Sequence, residues 1–88
     1  MLSFHMQSKF HTTLLHIANG AYDVSYLNQR YLLTKSTHLK GQLIKLYAEE
    51  LGGNNFISLN YYTHKQLLKP CEMPVLKVMD FILKMEIL

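Results

Sequence analysis

The segment PVLKVMDFILKMEIL, Pro74 to Leu88, constrains the fold of this chain more than any other stretch. Pro74 suits the first turn of a helix, where its missing N–H costs nothing. Wound at about 100° per residue, Lys77, Asp80 and Lys84 occupy a polar strip only about 60° wide. Val75, Leu76, Val78, Met79, Phe81, Ile82, Leu83 and Met85 cover the rest. A helix lying on one sheet needs a single apolar stripe of about 100°, so this helix, expected over 74–86, calls for cover on more than one side. One cover is the chain's own sheet. The other is expected to be a second copy, because a two-fold pairing buries the surplus on both subunits at once. Leu76, Phe81, Leu83 and Met85, which flank the stripe, are the expected homodimer interface. The rival cover is the N-terminal segment folding back with Leu2, Phe4 and Met6.

Composition supports that reading. The chain has 88 residues, enough for one domain, with 49% hydrophobic and only 17% charged residues, against about 25% charged in ordinary domains. Such a chain is too apolar to stay disordered.

Ahead of the last helix the pattern changes from helical to alternating. Residues 1–9 show no period and are expected to be a flexible tail before a single domain over 10–88. The threonines and branched residues of 10–17 favour a strand, and Asn19-Gly20 a turn. Tyr22, Val24 and Tyr26 alternate with Asp23 and Ser25, and Tyr31 and Leu33 with Arg30, Leu32 and Thr34, as in a hairpin of half-buried strands. For 38–51 two patterns compete. Thr37 can cap a helix, with His38, Gln42, Lys45 and Glu49 as its polar stripe and Gly52 as its left-handed stop. Alternatively LIKLYAEE and FISLNYY form a long hairpin around Gly52-Gly53-Asn54-Asn55; the helix agrees with both period and caps and is preferred. FISLNYY is a strand, and QLLK a short one ended by Pro70. The expected fold is therefore α+β, a small, largely antiparallel sheet with two helices packed on one face, in the approximate order β-β-β-α-β-β-α.

The residues that could carry chemistry are few. His5, His11, His16, His38 and His64 lack the close paired spacing of a structural metal site, so neither metal nor cofactor is expected. There is no glycine-rich phosphate loop. Glu49 and Glu50, neighbours on the expected helix, cannot flank one bond as an acid–base pair. Cys71 precedes the Pro74 helix, with Lys69 and His64 nearby, which is the outline of a reactive thiol. The adjacent Glu72 opposes a thiolate, and Pro70 and Pro74 remove backbone donors, so a buried, inert cysteine is the simpler reading. A lone cysteine, an opening segment whose apolar core is too short for export, and no apolar run near the roughly 18 residues of a membrane span together suggest a cytoplasmic protein without a membrane partner.

Aromatics are the one positive hint. Tyr22, Tyr26, Tyr31, Phe56, Tyr61 and Tyr62 fall on expected strands, and a sheet with aromatics on its face and cations at its rim can stack the bases of single-stranded nucleic acid. The residues expected on such a face are Tyr22, Tyr26, Arg30, Lys35, Phe56, Tyr62 and Lys65. Against it, the net charge is +3 with eight scattered lysines and one arginine, not the concentrated arginine of most nucleic-acid binders. Three readings follow, in order. The first is a small non-catalytic interaction or regulatory module acting as a homodimer or with a protein partner. The second is a nucleic-acid-binding protein, and the third a small enzyme or toxin-like protein using Cys71 or a histidine. The first two are separated by whether lysines and tyrosines share one surface, and the third by whether Cys71 lies in a cleft beside a histidine.

Overall fold

From Gly20 to Pro70 the alternating segments form five consecutive strands, each antiparallel to the next: β1 Gly20–Tyr26, β2 Gln29–His38, β3 Leu43–Glu50, β4 Phe56–Tyr62 and β5 Leu67–Pro70. In this computed structural model, which describes residues 4–88, helices α1 (Phe4–His16) and α2 (Val75–Lys84) flank the run. A two-residue strand, β6 (Glu86–Ile87), returns to pair with β1 at Val24 and Ser25. The six-stranded order is β5-β4-β3-β2-β1-β6. The protein is an α+β fold, a fully antiparallel sheet with both helices on one face.

Strand alternation decides which side chains meet the helices. Val24 of β1, Leu33 of β2, Ile44, Leu46 and Ala48 of β3, and Ile57, Leu59 and Tyr61 of β4 share one core. Phe10 and Leu14 of α1 and Val78, Met79, Phe81 and Ile82 of α2 close it from above. The alternation read for β1, β2 and β4 is the observed one, and α2 begins immediately after Pro74.

Three elements differ from the sequence reading, the smallest being the end of the expected 74–86 helix, where α2 stops at Lys84 and Glu86–Ile87 is β6. Residues 10–16 are not a strand but the greater part of α1, and residues 4–9, expected to be tail, are its first turns; residues 1–3 of that tail lie outside the described residues. The physical signal is the stripe Met6, Phe10, Leu14 and Ile17, spaced four, four and three, which puts all four on one helical face towards the core. Packing of that stripe outweighs the strand preference of Thr12 and Thr13, because most helical stability in a domain comes from burial rather than propensity. Leu2 of the rival cover is outside the described residues; Met6 packs on the core, whereas Phe4 is exposed.

The second difference is 38–51, where the hairpin forms instead of the helix. Leu39-Lys40-Gly41 makes a tight turn with φ of 53°, 56° and 90°, and β3 follows. Ile44, Leu46 and Ala48 alternate inward, a period of two that the apolar residues Leu43 and Tyr47 on the other face had disguised as a helical stripe. Gly52, with φ of 79°, is a left-handed residue of the β3–β4 turn and not a helix stop.

Candidate functional site

The face of the sheet turned away from the helices has no element packed on it among the described residues. The cross-strand register assembles it in rows. Ser36, Lys45, Asn60 and Lys69 lie side by side on β2, β3, β4 and β5. Two residues along the strands to one side is the row Thr34, Tyr47 and Ser58, with Phe56 diagonal to Tyr47; to the other side is the row His38, Leu43, Tyr62 and Leu67. A polar row with two cations is thus bordered by aromatics on both sides.

Tyr47 and Phe56 are stacked, with ring centroids 6.1 Å apart and planes 25° from parallel. Tyr47 keeps 45% of its surface exposed. Lys45 and Lys69 are exposed and have no ion-pair partner among the described residues. Arg30 lies towards the far edge and is partly committed, its guanidinium 3.4 Å from Asp23 Oδ2. Glu49 and Asp23 share the row beyond Tyr47 with Leu32 and Phe56, so the positive character belongs to the Lys45–Lys69 end.

The seven residues expected on an aromatic and cationic face are not brought together. Arg30, Phe56 and Tyr62 are on the open face. Tyr22 and Tyr26 point to the helix side and pack against the core, Tyr22 donating its hydroxyl hydrogen bond to Ala18 O at 2.8 Å. Lys65 lies in the β4–β5 turn, facing α1 and α2. Lys35 is 5% exposed, inside the core. Its ammonium donates to Leu14 O at 2.9 Å and to Ile17 O, satisfying carbonyls that the end of α1 would otherwise leave bare. Burial pushes the Lys35 ammonium below its ordinary pKa. Lys45, Tyr47, Asn60 and Lys69 are the additions, and the period-two reading of LIKLYAEE would have exposed the first two.

The expected dimer residues also separate. Phe81 is 0% exposed, wedged between Tyr26 and Tyr31 at centroid distances of 4.9 and 5.1 Å. Leu83 and Met85 are half-buried against the core, and Leu76 stands 58% exposed. Below Phe81, the Tyr26 hydroxyl donates to Asp80, whose other oxygen is 2.9 Å from Lys84 Nζ. Burial first, and then that hydrogen bond, push the Tyr26 hydroxyl up to about 12. The same bond, followed by Lys84, holds the Asp80 carboxyl below its usual value.

Cys71 is exposed, and its backbone N–H bonds Ser58 O at 3.0 Å, extending the β4–β5 ladder. Among the histidines, His11 Nδ1 shares a hydrogen bond of 2.5 Å with the Tyr61 hydroxyl and His38 one of 2.8 Å with Ser36. Among the described residues no cluster of three His, Cys, Asp or Glu could hold a metal, and no helix is long and apolar enough to cross a membrane. No protein-family model matches this chain, and no curated protein or solved structure does.

Proposed function

We propose that the protein is a non-catalytic module that binds single-stranded nucleic acid on the open face of its sheet. One observation carries this reading: exposed Tyr47, stacked on half-buried Phe56, adjoins Lys45 and Lys69 on one face of the sheet, and neither lysine has an ion-pair partner among the described residues. Each base offers a face for stacking on an aromatic ring, and phosphates seek unpaired ammonium groups. Tyr62, across the lysine row from Tyr47, gives a second platform, and Asn60 between the lysines adds an amide for a base edge or a phosphate oxygen.

Fluorescence anisotropy with a labelled single-stranded oligonucleotide tests it. Tyr47→Ala or Phe56→Ala should weaken binding by about 1–3 kcal/mol for each stack lost. Lys45→Gln should weaken all sequences alike and reduce the slope of log K against log salt by about 0.7. Binding that ignores both kinds of substitution, or no binding at low salt, overturns the proposal.

Leu76 favours a second reading, self-association through the outer flank of α2. It is exposed beside Leu83 along a groove that also involves Met6 of α1. Phe81, buried in its own chain, is not available to that contact. Leu76→Glu should leave a folded monomer if the flank is an interface; a wild-type protein already monomeric at high micromolar concentration by analytical ultracentrifugation ends this reading.

A further inference from the structure

On the helix side of the sheet, away from the proposed nucleic-acid face, a groove of about 440 Å³ opens between the first turns of α1, the β4–β5 hairpin and the start of α2. Its volume falls at the small end of the range for ligand pockets, about 300–1,000 Å³. The inner wall is made by Phe10, Tyr61, Leu68, Val75 and Met79. Tyr61 is the polar member of that wall, and its hydroxyl is already hydrogen-bonded to His11. No buried side-chain nitrogen or oxygen among the described residues lacks a partner. The inner part of the groove therefore offers apolar contact and no waiting hydrogen bond, which suits a hydrocarbon or aryl group.

The mouth is different. Gln7, Lys65 and Gln66 line it, Lys65 is the one charged lining residue, and it has no ion-pair partner among the described residues. Among the described residues no carboxylate lines the groove. Gln66 closes the β4–β5 turn, its N–H 3.3 Å from Thr63 O, with φ of 48°. Hairpin turns ordinarily place Gly or Asn at a left-handed position. Leu27, Leu39 and Lys40 take the same left-handed φ in other turns of this chain; what Gln66 adds is an amide at the mouth beside Lys65.

We infer that this groove binds a small amphipathic monocarboxylate, its apolar portion against Phe10, Leu68 and Met79 and its carboxylate towards Lys65, between the amides of Gln7 and Gln66. The ammonium sets the sign of the head group, and the wall sets the character of the tail. The site is independent of the open face, and its test does not involve nucleic acid.

Titration of the ¹⁵N-labelled protein with octanoate, 1-octanol and octylammonium separates head from tail. Octanoate should bind most tightly, by about fivefold over octylammonium, the ratio expected of one exposed ion pair. It should shift the amides of residues 65–68 and 75–79. Lys65→Glu, a substitution at an exposed turn position, should reverse that order. Val75→Trp, which fills the groove from the half-buried start of α2, should abolish the response to all three; its circular dichroism reports that the fold is retained. If the three probes bind alike, if Lys65→Glu leaves the order unchanged, or if the shifts fall elsewhere, the inference is wrong.

Discussion

The two faces of the sheet are built from the same strands, residue by residue in alternation, and they differ in what burial has been allowed to select. On the helix side, β2, β3 and β4 present Leu33, Ile44, Leu46, Ala48, Ile57 and Leu59, with Lys35 as the buried charge. On the open side the same strands present Thr34, Lys45, Tyr47, Glu49, Phe56 and Asn60. The buried lysine persists because it answers a specific need, the bare carbonyls at the end of α1. Among the described residues the exposed Lys45 and Lys69 have no ion-pair partner. The buried cation is held by the fold, whereas the exposed ones are free for water or for the ligand proposed above.

Substitutions should make the contrast measurable. The largest effect is expected at Phe81, which touches both Tyr26 and Tyr31: Phe81→Ala should cost about 3–5 kcal/mol in urea denaturation. In a small domain of marginal stability that is enough to unfold much of the population. A loss below about 1 kcal/mol would mean that the core side is as tolerant as the open side, and the comparison would collapse.

Lys35→Ala comes next, at about 1–3 kcal/mol, because the carbonyls of Leu14 in α1 and of Ile17 just after it lose their donor. The pH dependence sharpens it. With a folded pKa below the ordinary 10.5, the folded state releases this proton first while the unfolded chain still holds it. The unfolded state then binds more protons, so stability rises with pH across the window ending at 10.5. Wild type should gain on Lys35→Ala over that window, and parallel curves would argue against burial of the charge.

Tyr26 acts in the opposite direction. With a folded pKa raised to about 12 from 10.0, its contribution is complete below pH 10 and is lost as pH rises through 12. Its partner Asp80, held below 3.8, contributes stability above that value that is lost as pH falls through its folded pKa. Tyr26→Phe should reduce the alkaline loss, to which Tyr31 and Tyr61, also raised by burial, contribute as well, and should weaken the acid one; the difference between the ultraviolet absorbance titrations of wild type and variant follows the first.

Smallest of all should be Tyr47→Ala, at under about 1 kcal/mol of stability, although the same change is expected to weaken nucleic-acid binding markedly. If Tyr47→Ala instead destabilises the fold as much as Phe81→Ala, the open face is a structural surface and its candidacy as a site falls.

Local pattern carried much of this architecture. β1, β2, β4 and β5 follow from alternation and turn residues, and α2 from Pro74 and a broad apolar arc. The candidate site was less legible. Phe56, Tyr62 and Arg30 could be placed on one face from their own strands, but Lys45 and Tyr47 could not while 38–51 read as helix. Lys69 could be assigned to a strand, yet nothing local says that it stands two strands from Lys45 on the same row.

Alternation fixes which residues of one strand share a face, because successive side chains point to opposite sides. It does not say which face the helices will cover, and that choice turned Tyr22, Tyr26 and Lys35 inward and left Tyr47, Lys45 and Lys69 outside. Local patterns alone led to an α+β chain with an alternating middle and a greasy final helix. Packing across the chain was needed to make the segment before Gly20 a helix and 43–50 a strand, and to bring Tyr47, Phe56, Lys45 and Lys69 onto one surface. The physical reason is that apolar side chains at 43, 44, 46, 47 and 48 satisfy a helical stripe and an alternating strand equally well within the segment. The tie is broken by β2 and β4, which supply backbone partners on both sides of β3, and those partners lie outside the segment itself.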